Sequence, residues 1–540
     1  MRRITKKVLL PILCVVALCV SAFGMLGITG SANSTTTVKS VYDDDGDGVV
    51  TAWDIIERDG YIEGCWYPWF THSWLGSSLC ESSEMEAIDS WFDADTYLSN
   101  GTTTATKDYW QNMNQCGFDQ LGAEQIKMEI FNLKALGFNM MAYMGSPWGE
   151  GVKFETGTWK PIGVKDEYLK NMRNLLNICR EVGMPVLWYV HCHSSAVPAY
   201  ASLDMWYRIT QSYSYPEEYA KNFVEPVAKV LAEYRDVVVM VGLTDELENE
   251  MNDSDYVDDH KFAEGSRHEY GVTQEVALKF QGAIGQKIKE IMPDMPTTFA
   301  SNKEDFAMNG ESMIDFVGRN QYTSGTGSRD LTSAWPIGPM LATEYGTGDG
   351  TYSGTEDEWA SVLITKRDKF FEAGYTGFFH WAYQPTLSTG NAGGNQYLKK
   401  GATMVHQFRK GMLQVHDYAE KKMNELKPAN HPTTGAPSAM YYHGGTIQHS
   451  ISNGSTSTKQ NITYKGKVFW IQPKGVTTYK VERSTNGGQS WTQISGQVSI
   501  DADTGSYLYC MTDPSPVSSG SVQYRITVNN KTSYTNVWTY

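Results

Sequence analysis

The sequence predicts an α/β protein built as a closed (β/α)8 TIM barrel and followed by a small all-β sandwich. Three observations predict it. Apolar runs and amphipathic stretches alternate through eight rounds between Tyr61 and Leu426, the pattern of parallel strands each followed by a helix. No glycine-rich phosphate loop marks a dinucleotide-binding sheet, so a closed barrel suits the eight rounds better than an open one. Past residue 437 the period changes to short alternating strands with turn residues between them.

The chain opens with Arg2, Arg3, Lys6 and Lys7 ahead of an apolar run from Val8 to about Ile28, and Gly30-Ser31-Ala32 supplies the small residues a signal peptidase needs. Residues 1–32 therefore read as a signal peptide cleaved after Ala32, and the protein as secreted and extracellular. The run is also long enough for an uncleaved anchor. No later segment is apolar enough to span a bilayer, so no stable membrane insertion is expected after cleavage. A formal charge of −16, from 61 acidic residues against 45 basic, disfavours nucleic acid and acidic membranes as partners. The 16 Trp and 32 Tyr suit the faces of sugars and the packing of cores equally well. Cys65, Cys80 and Cys116 lie in or near one early loop and can pair in an oxidising compartment, whereas Cys179 and Cys192 read as buried thiols.

Residues 33–60 read as a linker that carries a calcium loop. Asp43, Asp45 and Asp47, then Gly48, with Asp54 at the twelfth position, repeat the ligand spacing of an EF-hand. Hard oxygen donors at positions one, three, five and twelve hold the ion, and glycine at six makes the sharp turn. These four aspartates are the candidate ligands of a structural calcium, and the alternative is a solvated acidic turn. The segment DDDGDGVVTAWDII resembles one half of a bacterial dockerin, which implies a cohesin-type scaffold as a partner. A dockerin uses two such repeats, and this chain has one.

The barrel is expected over 61–426, with strands at 61–66, 138–143, 185–190, 237–242, 297–300, 316–318, 339–342 and 377–379. Helices are expected at 123–136, 165–182, 216–234, 273–292, 356–373 and 400–426. The fourth strand runs into Val-Gly-Leu-Thr-Asp-Glu at 241–246 and the seventh into Met-Leu-Ala-Thr-Glu-Tyr-Gly at 340–346. Active sites of such barrels gather at the C-terminal ends of the strands, so Glu246 and Glu344 are predicted on one rim. Two facing carboxylates are the minimum machinery for cleaving a glycosidic bond. Glu248 and Glu250 compete with Glu246, which lies nearest the strand end. Trp66, Trp69, Trp74, Trp148 and Trp188 fall near the same rim, as sugar platforms or as core.

Thr244-Asp245-Glu246 after strand four, Gln321-Tyr322 after strand six, Ala342-Thr343-Glu344-Tyr345-Gly346 at strand seven and His380-Trp381 after strand eight together resemble glycoside hydrolase clan A. That group includes cellulases, mannanases and related retaining enzymes. The resemblance covers the barrel only. It implies Glu246 as general acid/base and Glu344 as nucleophile, Tyr322 as a hydrogen-bond donor to Glu344, and Trp381 as the floor under the reacting sugar. His191 and His193 follow strand three, where the clan often has a sugar-binding histidine; His191 is that candidate, with a surface or capping role as the other reading. The chain departs from the clan twice. Asp245 stands where Asn usually precedes the acid/base, so this substrate contact accepts hydrogen bonds and cannot donate them when ionised. The end of strand two, Asn139-Met140-Met141-Ala142-Tyr143, lacks the usual arginine.

Prolines 428, 432 and 437 mark a linker at 427–437, and 438–540 reads as the all-β module. An Asn-Gly pair at 486–487 is a hairpin signal. Tyr479 to Ser484 and Tyr524-Arg525-Ile526 resemble a fibronectin type III domain, which implies an immunoglobulin-like sandwich acting as a spacer. The expected function is a secreted retaining glycoside hydrolase acting on a β-glycan without a catalytic cofactor. The alternative is a non-catalytic carbohydrate-binding or cell-surface protein on a barrel that lost its chemistry, motivated by Asp245 and the missing arginine.

Overall fold

The computed structural model describes residues 40–67, 127, 130–131, 133–146, 151–155, 158–192, 213–247, 273–301, 313–321, 339–346, 356–381, 410–426, 437–439, 441–452, 457–472, 476, 478–500 and 508–540. Eight parallel strands form one sheet: β1 (Ile62–Trp66), β2 (Met140–Met144), β3 (Val186–Cys192), β4 (Val238–Asp245), β5 (Thr297–Ala300), β6 (Val317–Gln321), β7 (Met340–Tyr345) and β8 (Tyr375–His380). The ladder runs β5-β4-β3-β2-β1-β8-β7-β6. Three backbone hydrogen bonds bridge the remaining seam: the N–H groups of Asp315 and Phe316 donate to Thr297 O, and Asn320 N–H donates to Ser301 O. The sheet therefore closes into the expected barrel, with every strand within a few residues of its predicted place.

Two apolar layers follow from the alternation of side chains along each strand. One set points outward, where Met141, Trp188, Val241 and Phe378 pack with Leu175, Phe280 and Leu363 of the surrounding helices. Those helices include α2 (Asp166–Val182), α4 (Gln274–Ile291), α5 (Glu356–Glu372) and α6 (Lys410–Leu426), while α3 (Glu225–Ala232) is preceded by a helical turn at 216–219 and a π-turn at 220–224. Pro226 lacks an amide proton, and the helix before it widens so that Glu225 N–H reaches back to Ala220 O. The other set points into the lumen, where Ile62, Met140, Leu187, Met240, Leu341 and Phe379 form a second cluster. Gly64 and Gly242 make room there, since a Cβ on either would collide with the ring of Phe379 or of Tyr189.

Residues of the expected linker close the lumen from below. Helix α1 (Ala52–Asp59) starts at Thr51, which forms a capping box with Asp54, and ends at Gly60 in the left-handed conformation, φ 89°. Its buried face, Ala52 and Ile55, joins Val50 in the lumen cluster against residues at the N-terminal ends of the strands. Val50 N–H donates to Arg235 O at 2.8 Å, and Trp53 meets Phe316 with ring centroids 4.3 Å apart. Outside the sheet, Arg367 of α5 forms a fully buried ion pair with Glu63 of β1, and Tyr61 Oη donates to the same carboxylate at 2.9 Å. Burial pushes the Glu63 carboxyl up from its ordinary value, and Arg367 opposes that shift.

Beyond residue 437 two antiparallel sheets, one centred on 467–471 and 508–512 and the other on 480–484 and 521–528, share a core of Val468, Trp470, Val481, Met511, Tyr524 and Ile526. The Asn-Gly turn is held by Asn486, whose Oδ1 accepts from Ser490 N–H at 3.0 Å. Tyr441, Tyr464, Phe469 and Ile471 are buried with the outer layer of the barrel, so the module packs against it. No described helix is long and apolar enough to cross a membrane.

Candidate active site

Both glutamates lie at C-terminal strand ends, and both strands lose their alternation just before them. On β7, Arg319 pairs with Ala342 and Asn320 pairs with Glu344, so Thr343 is an extra residue, a β-bulge. On β4, Gly242 pairs with Thr298 of β5 but Asp245 pairs with Ala300, one residue more than the partner strand supplies. Leu243 and Thr244 consequently both face outward: Leu243 joins the outer cluster, and Thr244 hydrogen-bonds Gln281 of α4 at 2.6 Å. Asp245 is then turned to the lumen side. Glu246 follows with φ 46°, and its N–H donates to Ala300 O at 2.9 Å. The left-handed region costs a residue with a Cβ about 1–2 kcal/mol, and such strain collects where a side chain must be aimed.

Glu344 is 4% exposed and Asp245 is fully buried. Burial first, and then the negative charges of Asp245 and Glu344, push the Tyr189 hydroxyl and the Cys192 thiol well above their ordinary values. Both groups therefore stay protonated beside the two carboxylates. Trp66 lies flat on Tyr189, with ring centroids 4.7 Å apart, and meets half-buried Trp381 edge-on at 5.4 Å. These rings form an aromatic floor, and the carboxylates stand beside it.

A hydrogen-bonded chain joins the two glutamate strands. Asn320 Nδ2 donates to Glu246 Oε1 at 2.7 Å, and Thr343 Oγ1 donates to Asn320 Oδ1 at 2.8 Å. Trp66 Nε1 donates to the Thr343 carbonyl at 2.5 Å. Sequence reasoning missed Asn320 and the anchoring role of Trp66. No local pattern marks them, because both depend on the bulge at Thr343.

Of the residues predicted for the site, Glu246, Glu344, Asp245 and Trp381 are brought to one end of the lumen. His191 is not. Its Nδ1 and Nε2 are engaged by the hydroxyls of Tyr219 and Tyr213 at 3.1 and 2.9 Å, and its ring packs on Phe280 of α4 at 5.0 Å. Val190, its neighbour, also belongs to the outer layer, so β3 shifts in step with β4 and carries His191 away from the lumen. Trp188 is likewise part of the outer layer. Tyr322, Glu248, Glu250, His193, Trp69, Trp74 and Trp148 lie outside the described residues.

The acidic loop sits apart, next to α1. Carboxylate oxygens of Asp43, Asp45 and Asp47 lie within 4.8 Å of one another. Gly46 N–H donates to Asp43 Oδ1 and Val49 N–H to Asp47 Oδ1, each at 2.7 Å, which wraps the backbone around the carboxylates. This donor set suits a hard cation. Asp54 Oδ2 accepts from Thr51 N–H and Oγ1 at 2.7 and 2.8 Å, so that oxygen serves as a helix cap.

No family model matches the chain, and no curated protein matches it. Among solved structures, a β-mannanase from the blue mussel Mytilus edulis is 15% identical over 55% of this chain and 85% of that one, with a TM-score of 0.39. A β-1,4-D-mannanase from Cryptopygus antarcticus is 13% identical over 66% of this chain and 90% of that one, with a TM-score of 0.41. The virulence factor SghA from Agrobacterium tumefaciens is 10% identical over 66% of this chain and 96% of that one, with a TM-score of 0.40. At these scores the likenesses carry no argument about what the chain does.

Proposed function

We propose that the protein is a secreted glycoside hydrolase that cleaves β-linked polysaccharide or oligosaccharide with retention of configuration. One observation carries the reading: Glu246 and Glu344 end β4 and β7 of the same parallel barrel, and Asn320, paired with Glu344 across the ladder, holds Glu246 by its carboxyl. In this reading Glu344 attacks the anomeric carbon while Glu246 gives its proton to the departing glycosidic oxygen. Glu246 then takes a proton from water, whose oxygen displaces Glu344 from the sugar. The mechanism calls for carboxyl groups about 5–5.5 Å apart. Half-buried Trp381, backed by fully buried Trp66, offers the sugar an apolar face, and Asp245 is proposed as an acceptor for a hydroxyl. Tyr322 is proposed as a donor to Glu344.

The same reading takes the C-terminal module as fibronectin type III-like and the 43–54 loop as a structural calcium site held by Asp43, Asp45, Asp47 and Asp54. A cohesin-type scaffold remains a proposed partner of that loop. Adding millimolar calcium after chelation is expected to raise Tm by a few degrees, roughly the effect of 1 kcal/mol in a domain of this size. An unchanged melt would remove the calcium proposal.

The deciding experiment incubates the protein with 2-deoxy-2-fluoro β-glycosides and seeks a covalent adduct by intact mass and peptide mapping. A sugar on Glu344 establishes the retaining mechanism and its nucleophile. Sugar binding with neither adduct nor hydrolysis across a glycan panel would favour the non-catalytic reading, which Asp245 and the absence of a basic residue on β2 motivate.

A further inference from the structure

We infer that Asn320 is a positioning residue that decides which oxygen of Glu246 carries the catalytic proton; the inference rests on the hydrolase reading above. The carboxamide nitrogen only donates, and it meets Glu246 Oε1 at 2.7 Å. Oε1 must therefore present a lone pair whether the carboxyl is protonated or ionised. The proton belongs on Oε2. The amide is kept from flipping because its oxygen accepts from Thr343 Oγ1 at 2.8 Å, and Thr343 is itself held through its carbonyl by Trp66 Nε1 at 2.5 Å. Asn320 and Thr343 are 4% and 0% exposed, so little water competes for these bonds.

An amide N–H does not titrate in the working range of such an enzyme, so the anchor persists through both half-reactions. In the first, the Oε2–H bond breaks and its proton passes to the glycosidic oxygen as the C1–O bond breaks and C1 bonds to Glu344. In the second, a water proton passes to Oε2 as the water oxygen bonds to C1 and the Glu344 ester breaks. One oxygen serves both steps, and Glu246 has no reason to rotate between them.

The test uses aryl β-cellobiosides and β-mannobiosides whose leaving groups are phenol, 4-nitrophenol and 2,4-dinitrophenol. Asn320→Ala is expected to lower kcat/KM about 100-fold on the phenyl glycoside, the scale of a misaligned general acid. It should change the dinitrophenyl glycoside little, because that group departs without a proton. Asn320→His, which keeps an N–H donor, should recover most of the loss, and Thr343→Val should give a smaller loss with the same leaving-group signature. Equal losses on all three leaving groups, or none on any, would overturn the inference while the hydrolase reading stands. Wild-type protein that hydrolyses none of them, forms no adduct with the 2-deoxy-2-fluoro β-glycosides and cleaves nothing in the glycan panel would take down both. If Asn320→Ala melts too early to assay, Thr343→Val and Asn320→His decide between the outcomes.

Discussion

The two ends of the barrel lumen are built by opposite rules. At the floor apolar Ile62, Met140, Leu187 and Leu341 meet the apolar face of α1, and the register shifts there, at Val239 of β4 and Thr376 of β8, leave the lumen lining apolar. At the rim β4 and β7 each carry an extra residue, two acidic groups are buried, and a non-glycine residue sits at positive φ. Apolar surface buried at the floor stabilises the fold by roughly 25 cal/mol per Å². Bulges surrender ladder hydrogen bonds but choose where a side chain points. In the proposed reading stability is concentrated at one end and chemistry at the other, which predicts that the two are separable by mutation.

The largest expected effect is at the rim. Glu344→Gln should reduce turnover by on the order of 10⁴-fold or more while leaving Tm unchanged or higher, because a buried carboxylate is replaced by a neutral group of the same shape. Near-normal turnover would end the nucleophile assignment. At the floor the pattern should invert: Ile55→Ala is expected to cost about 2–5 kcal/mol in urea unfolding with kcat of the folded protein intact. A parallel loss of kcat would mean that floor and rim are coupled.

Two further variants sharpen the boundary. Gly242→Ala places a methyl against Tyr189, the ring on which Trp66 lies, and should cost about 1–3 kcal/mol together with a measurable rise in KM. A stability loss without a KM change would show that the aromatic floor tolerates displacement. On the outer side of the rim, burial, aided by the charges of Arg367 and Lys366, holds the His380 imidazole well below its ordinary 6.5. The unfolded chain then binds a proton that the folded chain refuses, so stability falls as pH drops below 6.5, by about 1.4 kcal/mol per unit until the folded value is reached. Urea midpoints at pH 5, 6 and 7 read this slope. His380→Gln should flatten it, and an unaltered slope would assign the acid sensitivity to other groups.

The floor was almost wholly legible in the sequence, and the rim was legible only in part. Eight apolar runs located eight strands, and Glu246 and Glu344 stood out because each ends such a run. His191 was expected at the site from the resemblance and its place after strand three, and the shift shared by β3 and β4 turns it to the outer layer instead. Asn320 carried no signal, since its role exists only in the ladder register with β7. The segment read as a linker carries a helix whose cue was present: Ala52 and Ile55 share one helical face, three residues apart. Without tertiary contacts that face had no visible partner.

The helix under the barrel also bears on the order of assembly. Val50 and Ile55 precede every barrel strand in the chain, yet they pack in a cluster that includes Phe316 and Leu341. Contacts spanning so much sequence close slowly, and a chain rich in them folds late and cooperatively. The packing that seats helix α1 is complete only once β7 has joined the sheet, so an early segment of the polypeptide waits on a distant one for part of its contacts. Until then the open lumen presents a column of apolar side chains to solvent, and aggregation competes with folding over the same interval.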